Sequence, residues 1–348
     1  MFRPPHMTET FSLVAPLPSA TFGGRVTSHG MGAEALVRAA ELQSDRLQRA
    51  LGESHGLLLF PGMDELIRKP VLLLRMSRVF GPHVENYRGT GMTPQMVHAE
   101  VPEILLVSND PKVSRAPPAR PEPPLTAEGA LPTRYPHRRG WHTDQSYRRP
   151  PPDVSLFLAV TPVPQGQGQT LFADATAAYE ALPDALKKRI DGLEGLHAAP
   201  GTGRRRDAVL AGAVPRALAE HEQSQRQPVV RIHPLTGQRS IYLCEYGQMD
   251  WLDGPFIGME KGPSGAGAAL LDTLMTHVTQ PQFVYVHEWT AGDLLVWDNR
   301  SLLHAATWFD AGRYTRMMWR TTVQGNPGSA YAADNGREYQ QPNSQSGF

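Results

Sequence analysis

Cysteine is almost absent from this chain. Cys244 is the single cysteine among 348 residues, so an intrachain disulfide is excluded and the fold depends on burial and hydrogen bonding. This usage suits a reducing compartment, and we expect Cys244 to be a small buried apolar residue. The first residues, Met-Phe-Arg-Pro-Pro-His, lack the apolar core of a secretory signal. We therefore expect a cytoplasmic protein.

An excess of charge of either sign is also missing. Lys+Arg and Asp+Glu each number 34, so the formal net charge is zero. A nucleic-acid partner would favour a basic balance, which this chain does not have. No apolar run approaches the roughly 18 residues that a membrane span requires. The expected partner is therefore a small molecule, with no nucleic acid and no membrane, and a homo-oligomer stays open.

Glycine and proline, at 32 each, are abundant for a helical protein. Apolar residues recur at helical spacing near Ala33–Leu51 and Ala175–Leu193. Elsewhere short apolar runs alternate with turn residues, which predicts a mainly β protein, a sandwich or barrel with flanking helices. The predicted strands are Gly56–Phe60, Ile104–Val107, Val154–Val160, Val229–Ile232, Ser240–Cys244, Phe283–Val286, Asp293–Trp297 and Met317–Val323.

Three segments depart from this pattern. Pro111–Gly140 carries eight prolines, which exclude a regular helix or central strand, and it could border a site that follows it. Pro200–Gln227 is rich in Gly, Arg and Gln, and both a flexible lid and a solvated basic loop fit it. We expect one domain over residues 1–323 with insertions near 110–140 and 200–227, followed by a polar, mobile tail over 324–348.

Two histidines and a carboxylate stand beside strand-like segments. Residues 141–147 read WHTDQSY and residues 297–304 read WDNRSLLH. Side chains at i and i+2 of a strand point to one side, so His142 and Asp144 could bind one metal ion from a single strand, with His304 arriving from another. Two imidazoles and a carboxylate on one octahedral face leave three positions open, which is diagnostic of non-haem Fe(II) oxygenases.

The spacing alone is weak, because the chain has 13 histidines and the triplets 83–85 and 98–100 repeat it as His-x-Glu. Such triplets are ordinarily surface or supporting pairs. The context of His142 is different. A predicted strand over Val154–Val160 follows it closely, and a second predicted strand leads directly to His304. The other two triplets have no comparable downstream partner.

Taken together, five segments resemble the TauD/TfdA (taurine dioxygenase-like) family of Fe(II)- and 2-oxoglutarate-dependent dioxygenases. They occur in the family's order and at near-family spacing over most of 141–323, with a looser likeness over about 20–110 through GLLLFPG (56–62). The segments are WHTDQSY (141–147), GQTLFADATAAYEALP (168–183), VVRIHPLTGQRSIYL (229–243), GDLLVWDNRSLLHAA (292–306) and RMMWRTTV (316–323).

The resemblance implies a double-stranded β-helix, the jelly-roll core also found in cupins, with helices on one side and the metal at one mouth. It implies that His142, Asp144 and His304 are the catalytic iron ligands. Arg316 matches the arginine that binds the far carboxylate of the cosubstrate 2-oxoglutarate, and Thr170 matches a threonine that also contacts it. A planar, permanently charged guanidinium suits that carboxylate on independent grounds.

Further roles concern the substrate and the ligand loop. On a strand, Arg316 and Arg320 share one face, and an arginine inside an apolar barrel is costly without an anionic partner. By resemblance Arg320 holds an anionic group of the substrate; the alternative is a pair with an acidic side chain such as Asp298. Tyr87 and Tyr246 fall where relatives line the substrate pocket. The remaining signature residues, Asp298, Asn299 and Arg300, are expected to orient the loop that carries a ligand.

The sequence therefore predicts an Fe(II)/2-oxoglutarate-dependent dioxygenase that uses O2 to hydroxylate, or otherwise oxidise at C–H, a small organic substrate that can be anionic. Succinate and CO2 would be released. Two alternatives stay open. The same scaffold could perform desaturation, cyclisation or epoxidation in a secondary-metabolite pathway, or it could be a jelly-roll binding protein without catalysis. The substrate is not indicated, since its pocket would be built largely from Pro82–Glu100, Pro111–Gly140 and Pro200–Gln227.

Overall fold

The computed structural model describes residues 11–18, 20–90, 92–114, 140–245 and 247–325. Short 3-10 helices cover Tyr87–Gly89, Pro94–Met96, Glu220–Glu222 and Pro281–Phe283. The α-helices are α1 (Ala33–Leu42), α2 (Ser44–Glu53), α3 (Glu65–Arg68), α4 (Val71–Arg78), α5 (Ala175–Glu180), α6 (Asp184–Ile190), α7 (Arg206–Leu210) and α8 (Ala266–Val278). The strands are β1 (Ser12–Val14), β2 (Gly24–Thr27), β3 (Leu57–Phe60), β4 (Leu105–Ser108), β5 (Val154–Thr161), β6 (Thr170–Asp174), β7 (Glu194–His197), β8 (Gln225–Pro228), β9 (Val230–Ile232), β10 (Arg239–Ile241), β11 (Val284–His287), β12 (Leu294–Asp298), β13 (Leu302–Ala306) and β14 (Met317–Val323).

Two facing sheets form the centre of the fold. The larger has the strand order β1-β2-β3-β12-β5-β14-β4, and the smaller has β11-β6-β13. The central strands of the larger sheet, β5 and β12, are apolar at nearly every position because both of their faces are covered. The mainly β fold with flanking helices is thus confirmed.

An apolar layer fills the space between the sheets. Alternate residues of the larger sheet meet residues of the smaller one, as the two-residue period of a strand requires. The larger sheet contributes Leu57, Leu59, Phe157, Ala159, Leu295, Trp297 and Met318, and the smaller contributes Phe172, Tyr285 and Leu302.

Helices cover the outer faces of both sheets. α1, α2 and α4 pack against the larger sheet through residues such as Leu36, Leu47 and Leu73. α5 and α8 pack against the smaller sheet, where Ala178 and Leu274 lie in one buried cluster with strand residues of β6 and β13. These outer layers explain why the central strands β5 and β12 have no alternating polar face.

Strand β14 shows how the layers sort side chains. Trp319 and Val323 belong to the cluster beneath the helices, whereas Met318 belongs to the layer between the sheets. Arg320 shares the inward parity of Met318, and Arg316 precedes the strand on the same parity. The fold therefore directs two arginines from one strand toward the space between the sheets.

The predicted helices are wrong in their length. Ala33–Leu51 is two helices because Gln43, with φ −124°, interrupts the helical path between α1 and α2. Ala175–Leu193 is likewise divided, since Pro183 precedes α6 and cannot continue α5. The eight predicted strands are found with bounds shifted by up to three residues, but β9 and β10 form a separate hairpin outside the two sheets.

The segment 200–227 is ordered rather than an open basic loop. Arg204 donates to Asp250, 2.6 Å away, and also pairs with Asp253. Arg206 is 3.0 Å from Asp272 on α8. Whether the segment acts as a lid stays a prediction. Most of the segment 110–140 and of the tail, residues 115–139 and 326–348, lies outside the described residues.

Length and apolarity do not coincide in any described helix to the degree that crossing a bilayer would require.

Candidate active site

His142 and His304 are joined through their backbones. The N–H of His142 donates to the carbonyl of His304 at 3.0 Å, and the reverse bond is 2.8 Å long. The two imidazole centroids are 4.2 Å apart. Asp144 Oδ1 lies 3.7 Å from Nε2 of His304, and all three potential ligand atoms lie within 4.8 Å of one another. The structure therefore brings the three predicted residues together.

The expectation that one strand carries both His142 and Asp144 is wrong in detail. His142 alone forms a β-bridge, to His304, and Asp144 begins a turn. The backbone N–H of Asp144 donates to Asn299 Oδ1 at 3.2 Å instead of to a neighbouring strand. The next residue, Gln145, has φ +47°, which is uncommon for a non-glycine residue. A turn anchored by Asn299 thus replaces the strand register.

The carboxylate of Asp144 is buried and fully engaged. Oδ2 accepts a hydrogen bond of 2.6 Å from Ser155, and Oδ1 accepts one of 3.0 Å from Arg320. Burial raises the pKa of Asp144, but the charge of Arg320, aided by both imidazoles, outweighs burial and holds that pKa well below its usual range. The carboxylate is therefore ionised at neutral pH, as a metal ligand must be.

The hydrogen bonding of His142 and the pKa of His304 also suit a metal site. Nδ1 of His142 donates to the carbonyl of Gly140 at 3.0 Å, which makes Nε2 the nitrogen suited to a metal. Burial, and then the neighbouring His142, lower the pKa of His304 to about 3, so His304 is neutral at pH 7. Two imidazoles and one carboxylate fit a divalent iron site with open positions.

The β12–β13 turn supports this arrangement from behind. Asn299 Oδ1 accepts from the backbone of Asp144 and from the indole of Trp297, and its amide donates to Ser155 at 3.0 Å. The hydroxyl of Thr143 donates to the backbone carbonyl of Asn299 at 2.8 Å. One asparagine therefore fixes the turn that carries Asp144 and the serine that orients its carboxylate.

Asp298 and Arg300 hold the same turn in shape. Asp298 accepts two bonds from the Arg300 guanidinium, at 2.8 and 2.6 Å, and one from His233 at 3.0 Å. Burial raises the pKa of Asp298, but the charge of Arg300 lowers it far below the usual range. Asp298 therefore pairs with Arg300, and the acidic side chain that pairs with Arg320 is Asp144 rather than Asp298.

The other two triplets do not reach the site. Glu85 pairs with Arg148 at 3.0 Å, and Nδ1 of His98 accepts the backbone N–H of Glu100. In the part of the chain that the structure describes, His142, Asp144 and His304 are the one group of three or more histidine, cysteine or acidic side chains placed to share a metal ion.

Arg316 and Thr170 lie on opposite sheets, both buried. The Arg316 guanidinium carbon is 5.6 Å from the ring centroid of Phe157, and Thr170 accepts a 3.0 Å bond from the indole of Trp289. Gly168 lies just before β6 and close to Arg316, with φ +63°. A Cβ atom on residue 168 would clash with Val163. Only glycine suits that turn.

Of the two tyrosines predicted to contact substrate, the structure describes Tyr87 but not Tyr246. Tyr87 is fully buried, and its hydroxyl is 2.7 Å from that of Thr322. Its contact with substrate stays a prediction. Tyr246 lies outside the described residues. Tyr147, which no sequence motif marked as a site residue, lies near Arg320. Burial raises its pKa while the charges of Arg320 and Arg148 oppose the rise.

Three supporting residues were also missed. Ser155 is the single polar residue in the first part of β5, and that exception to an apolar strand was the available signal. Asn109 accepts the backbone N–H of Arg316 at 2.8 Å, and Trp289 donates to Thr170. Neither has a spacing pattern, because each reaches its partner across a large gap in sequence.

Comparison with known proteins gives a consistent result. A family model described as "Taurine catabolism dioxygenase TauD, TfdA family" matches residues 14–322. An alpha-ketoglutarate-dependent 2,4-dichlorophenoxyacetate dioxygenase from Cupriavidus pinatubonensis is 29% identical over 82% of this chain and 94% of its own length. Pentalenolactone F synthase from Streptomyces arenae is 27% identical over 92% of this chain and 98% of its own.

A solved structure is similar over nearly the whole fold. AAD-2 in complex with Mn(II) and N-oxalylglycine superposes with a TM-score of 0.63 at 26% identity, covering 91% of this chain and 98% of that one.

Replacing Asn299 by Ala should weaken metal binding at the candidate site while leaving the three proposed ligands in the chain. The turn that carries Asp144 would lose its anchor, so we expect Mn(II) affinity to fall by roughly 10- to 100-fold, as for other residues that orient metal ligands. A titration followed by the electron paramagnetic resonance of free Mn(II) measures this. Asn109→Ala is the matched control, since that asparagine holds Arg316, and it should bind Mn(II) normally. Equal affinities in both variants would contradict the role of Asn299.

Proposed function

Because the chain belongs to the TauD/TfdA family and is a 2-oxoglutarate-dependent non-haem iron dioxygenase, we propose that it oxidises a C–H bond of a small organic acid. Hydroxylation is the expected outcome, with O2 and 2-oxoglutarate consumed and succinate and CO2 released. The observation that carries this proposal is the group of two imidazoles and a carboxylate, in which Asp144 and His304 are buried and His142 is half-buried. The Arg320 guanidinium donates a hydrogen bond to the carboxylate.

His142, Asp144 and His304 are the proposed iron ligands. Their protonation states support this, since the carboxylate is ionised and the His304 imidazole is neutral at pH 7. Bound Fe(II) together with 2-oxoglutarate supplies the O2-dependent oxidation of a C–H bond. The protein contributes placement and the exclusion of water, because Asp144 and His304 are buried and the His304 ring lies beside Phe172 and Trp297 of the apolar layer between the sheets. We take those sheets as the double-stranded β-helix, with the iron at one mouth.

Arg316 and Thr170 are the proposed contacts of the far carboxylate of 2-oxoglutarate. Both are buried, where a charge-assisted hydrogen bond to a carboxylate is strong. The Arg316 backbone is fixed by Asn109, so the guanidinium is presented from a rigid strand end. Thr170 offers a hydroxyl from the facing sheet.

Arg320 is the proposed contact of an anionic group on the substrate. It lies on the same inward face of β14 as Arg316 and beside the carboxylate of Asp144. The names of several relatives include carboxylate substrates, among them 2,4-dichlorophenoxyacetate and (S)-phenoxypropionate. An aryloxy or similar carboxylic acid is therefore our first candidate class, with Tyr87 and Tyr246 proposed to line its pocket.

A different oxidation outcome at the same site is the second candidate. The match to pentalenolactone F synthase extends over nearly all of both chains, so a product other than an alcohol is consistent with this scaffold. Product mass distinguishes the two outcomes, because hydroxylation adds one oxygen atom whereas desaturation removes two hydrogen atoms.

Replacing His142 or Asp144 by Ala should abolish substrate-dependent succinate formation, since each change removes a proposed ligand. A panel of aryloxy acids, their methyl esters and taurine, scored by succinate release, first identifies a substrate. His98→Ala is the matched control, because His98 shares the His-x-acid spacing but lies away from the site, where it accepts backbone N–H groups and packs against Trp319. Near-normal succinate release from Asp144→Ala would refute the ligand assignment.

The two arginines of β14 should separate the two organic ligands. Arg316→Met removes a charge-assisted contact worth about 1.5–3 kcal/mol, so 2-oxoglutarate should bind roughly tenfold or more weakly. Arg320→Ala should weaken binding of the acid substrate far more than binding of 2-oxoglutarate. Binding of the methyl ester should be weakened least of all. Anaerobic titrations give both constants for each variant. If each arginine affected both ligands equally, their separate roles would be excluded.

A further inference from the structure

Trp289 connects the two sheets at the proposed cosubstrate site. Its indole N–H donates to the hydroxyl oxygen of Thr170 at 3.0 Å, and its ring meets Phe157 edge to face, with centroids 5.5 Å apart. Phe157 is the ring over which the Arg316 guanidinium lies. Trp289 itself is 6% exposed. One side chain thus touches Thr170 and the ring that supports Arg316.

The chemistry of the two groups fixes the direction of the Thr170 hydroxyl. An indole N–H can only donate, whereas a hydroxyl has one hydrogen to donate and two lone pairs to accept with. Thr170 must therefore accept from Trp289, and its single hydrogen has to point to another acceptor. A carboxylate only accepts. The indole consequently leaves Thr170 prepared as a donor to an anion.

The neighbouring strand holds the indole in place. His287 pairs directly with Thr170 in the β11–β6 register, and its ring meets Trp289 edge to face at 4.5 Å. Nδ1 of His287 is 3.0 Å from the Tyr285 hydroxyl, and Nε2 is 3.4 Å from Asp293 Oδ2. The imidazole is thus constrained from two sides, and it restricts the rotation of the indole.

We infer that Trp289 is a positioning residue for the cosubstrate: it orients the Thr170 hydroxyl so that its hydrogen points to the far carboxylate of 2-oxoglutarate. This inference rests on the proposed function. It concerns ligand selection as well as affinity, because only a 2-oxo acid with a second carboxylate gains from the oriented hydroxyl.

The test compares two ligands on one protein. Wild type and Trp289→Phe are loaded with Mn(II) and titrated calorimetrically under nitrogen with 2-oxoglutarate, and then with 2-oxobutyrate, which lacks the far carboxylate. Phenylalanine keeps an aromatic ring beside Phe157 and removes the N–H. We expect 2-oxoglutarate to bind roughly tenfold more weakly to the variant, with 2-oxobutyrate binding changed less than about twofold.

A double-mutant cycle identifies the route of the effect. In a Thr170→Val background the hydroxyl is gone, so adding Trp289→Phe should change 2-oxoglutarate binding less than about twofold. Full additivity of the two changes would overturn the inference, as would equal weakening of both ligands by Trp289→Phe. Trp251→Phe, at a buried tryptophan in the cluster outside the smaller sheet, is the matched control and should bind both ligands normally.

Two further outcomes are separable. If Trp289→Phe does not fold, replacement of Trp289 by β-(3-benzothienyl)alanine keeps the bicyclic shape and exchanges the N–H for sulfur, and the same loss for 2-oxoglutarate is expected. Unchanged binding in that variant would overturn the inference. If wild-type protein loaded with Mn(II) does not bind 2-oxoglutarate, the proposed function itself fails.

Discussion

Two backbone hydrogen bonds between His142 and His304 are the constraint on which the site depends. They join the segment that leads into the Asp144 turn to strand β13 of the smaller sheet. Once this bridge is formed, both imidazoles lie side by side and Asp144 is within reach of them. His304 is placed by the pairing of β13 with β6, whereas His142 belongs to no strand and is placed by the bridge. The bridge therefore brings together two histidines that are separated by about half the length of the chain.

Buried charges are balanced around this bridge in separate pairs. Asp144 is matched by Arg320, and Asp298 by Arg300. A buried carboxylate without a partner would be protonated or destabilising. Asp298 shapes the turn from which Asn299 reaches the backbone of Asp144. The electrostatics of the turn and the position of the candidate ligand are thus coupled through one short segment.

The sequence predicted the strands well where apolar runs were nearly continuous, as in β5 and β12, because burial on both faces leaves a plain pattern. It also named the three residues that the fold brings together, since predicted strands stand beside them and five ordered segments resemble one family. It failed where position depends on tertiary contact. The turn at Asp144 replaces a strand because Asn299, remote in sequence, binds its backbone. Trp289 and Asn109 have no periodicity that would point to Thr170 or Arg316. The division of the first helical stretch at Gln43 leaves no proline or glycine as a sign at that position.

Anomalous diffraction at the iron edge, from crystals grown with Fe(II) under nitrogen, tests the central claim most directly. A single strong peak is predicted within bonding distance, about 2–2.3 Å, of an imidazole nitrogen of His142, an imidazole nitrogen of His304 and a carboxylate oxygen of Asp144. A peak that lies at other residues, or the absence of any peak among these three under saturating iron, would contradict the account.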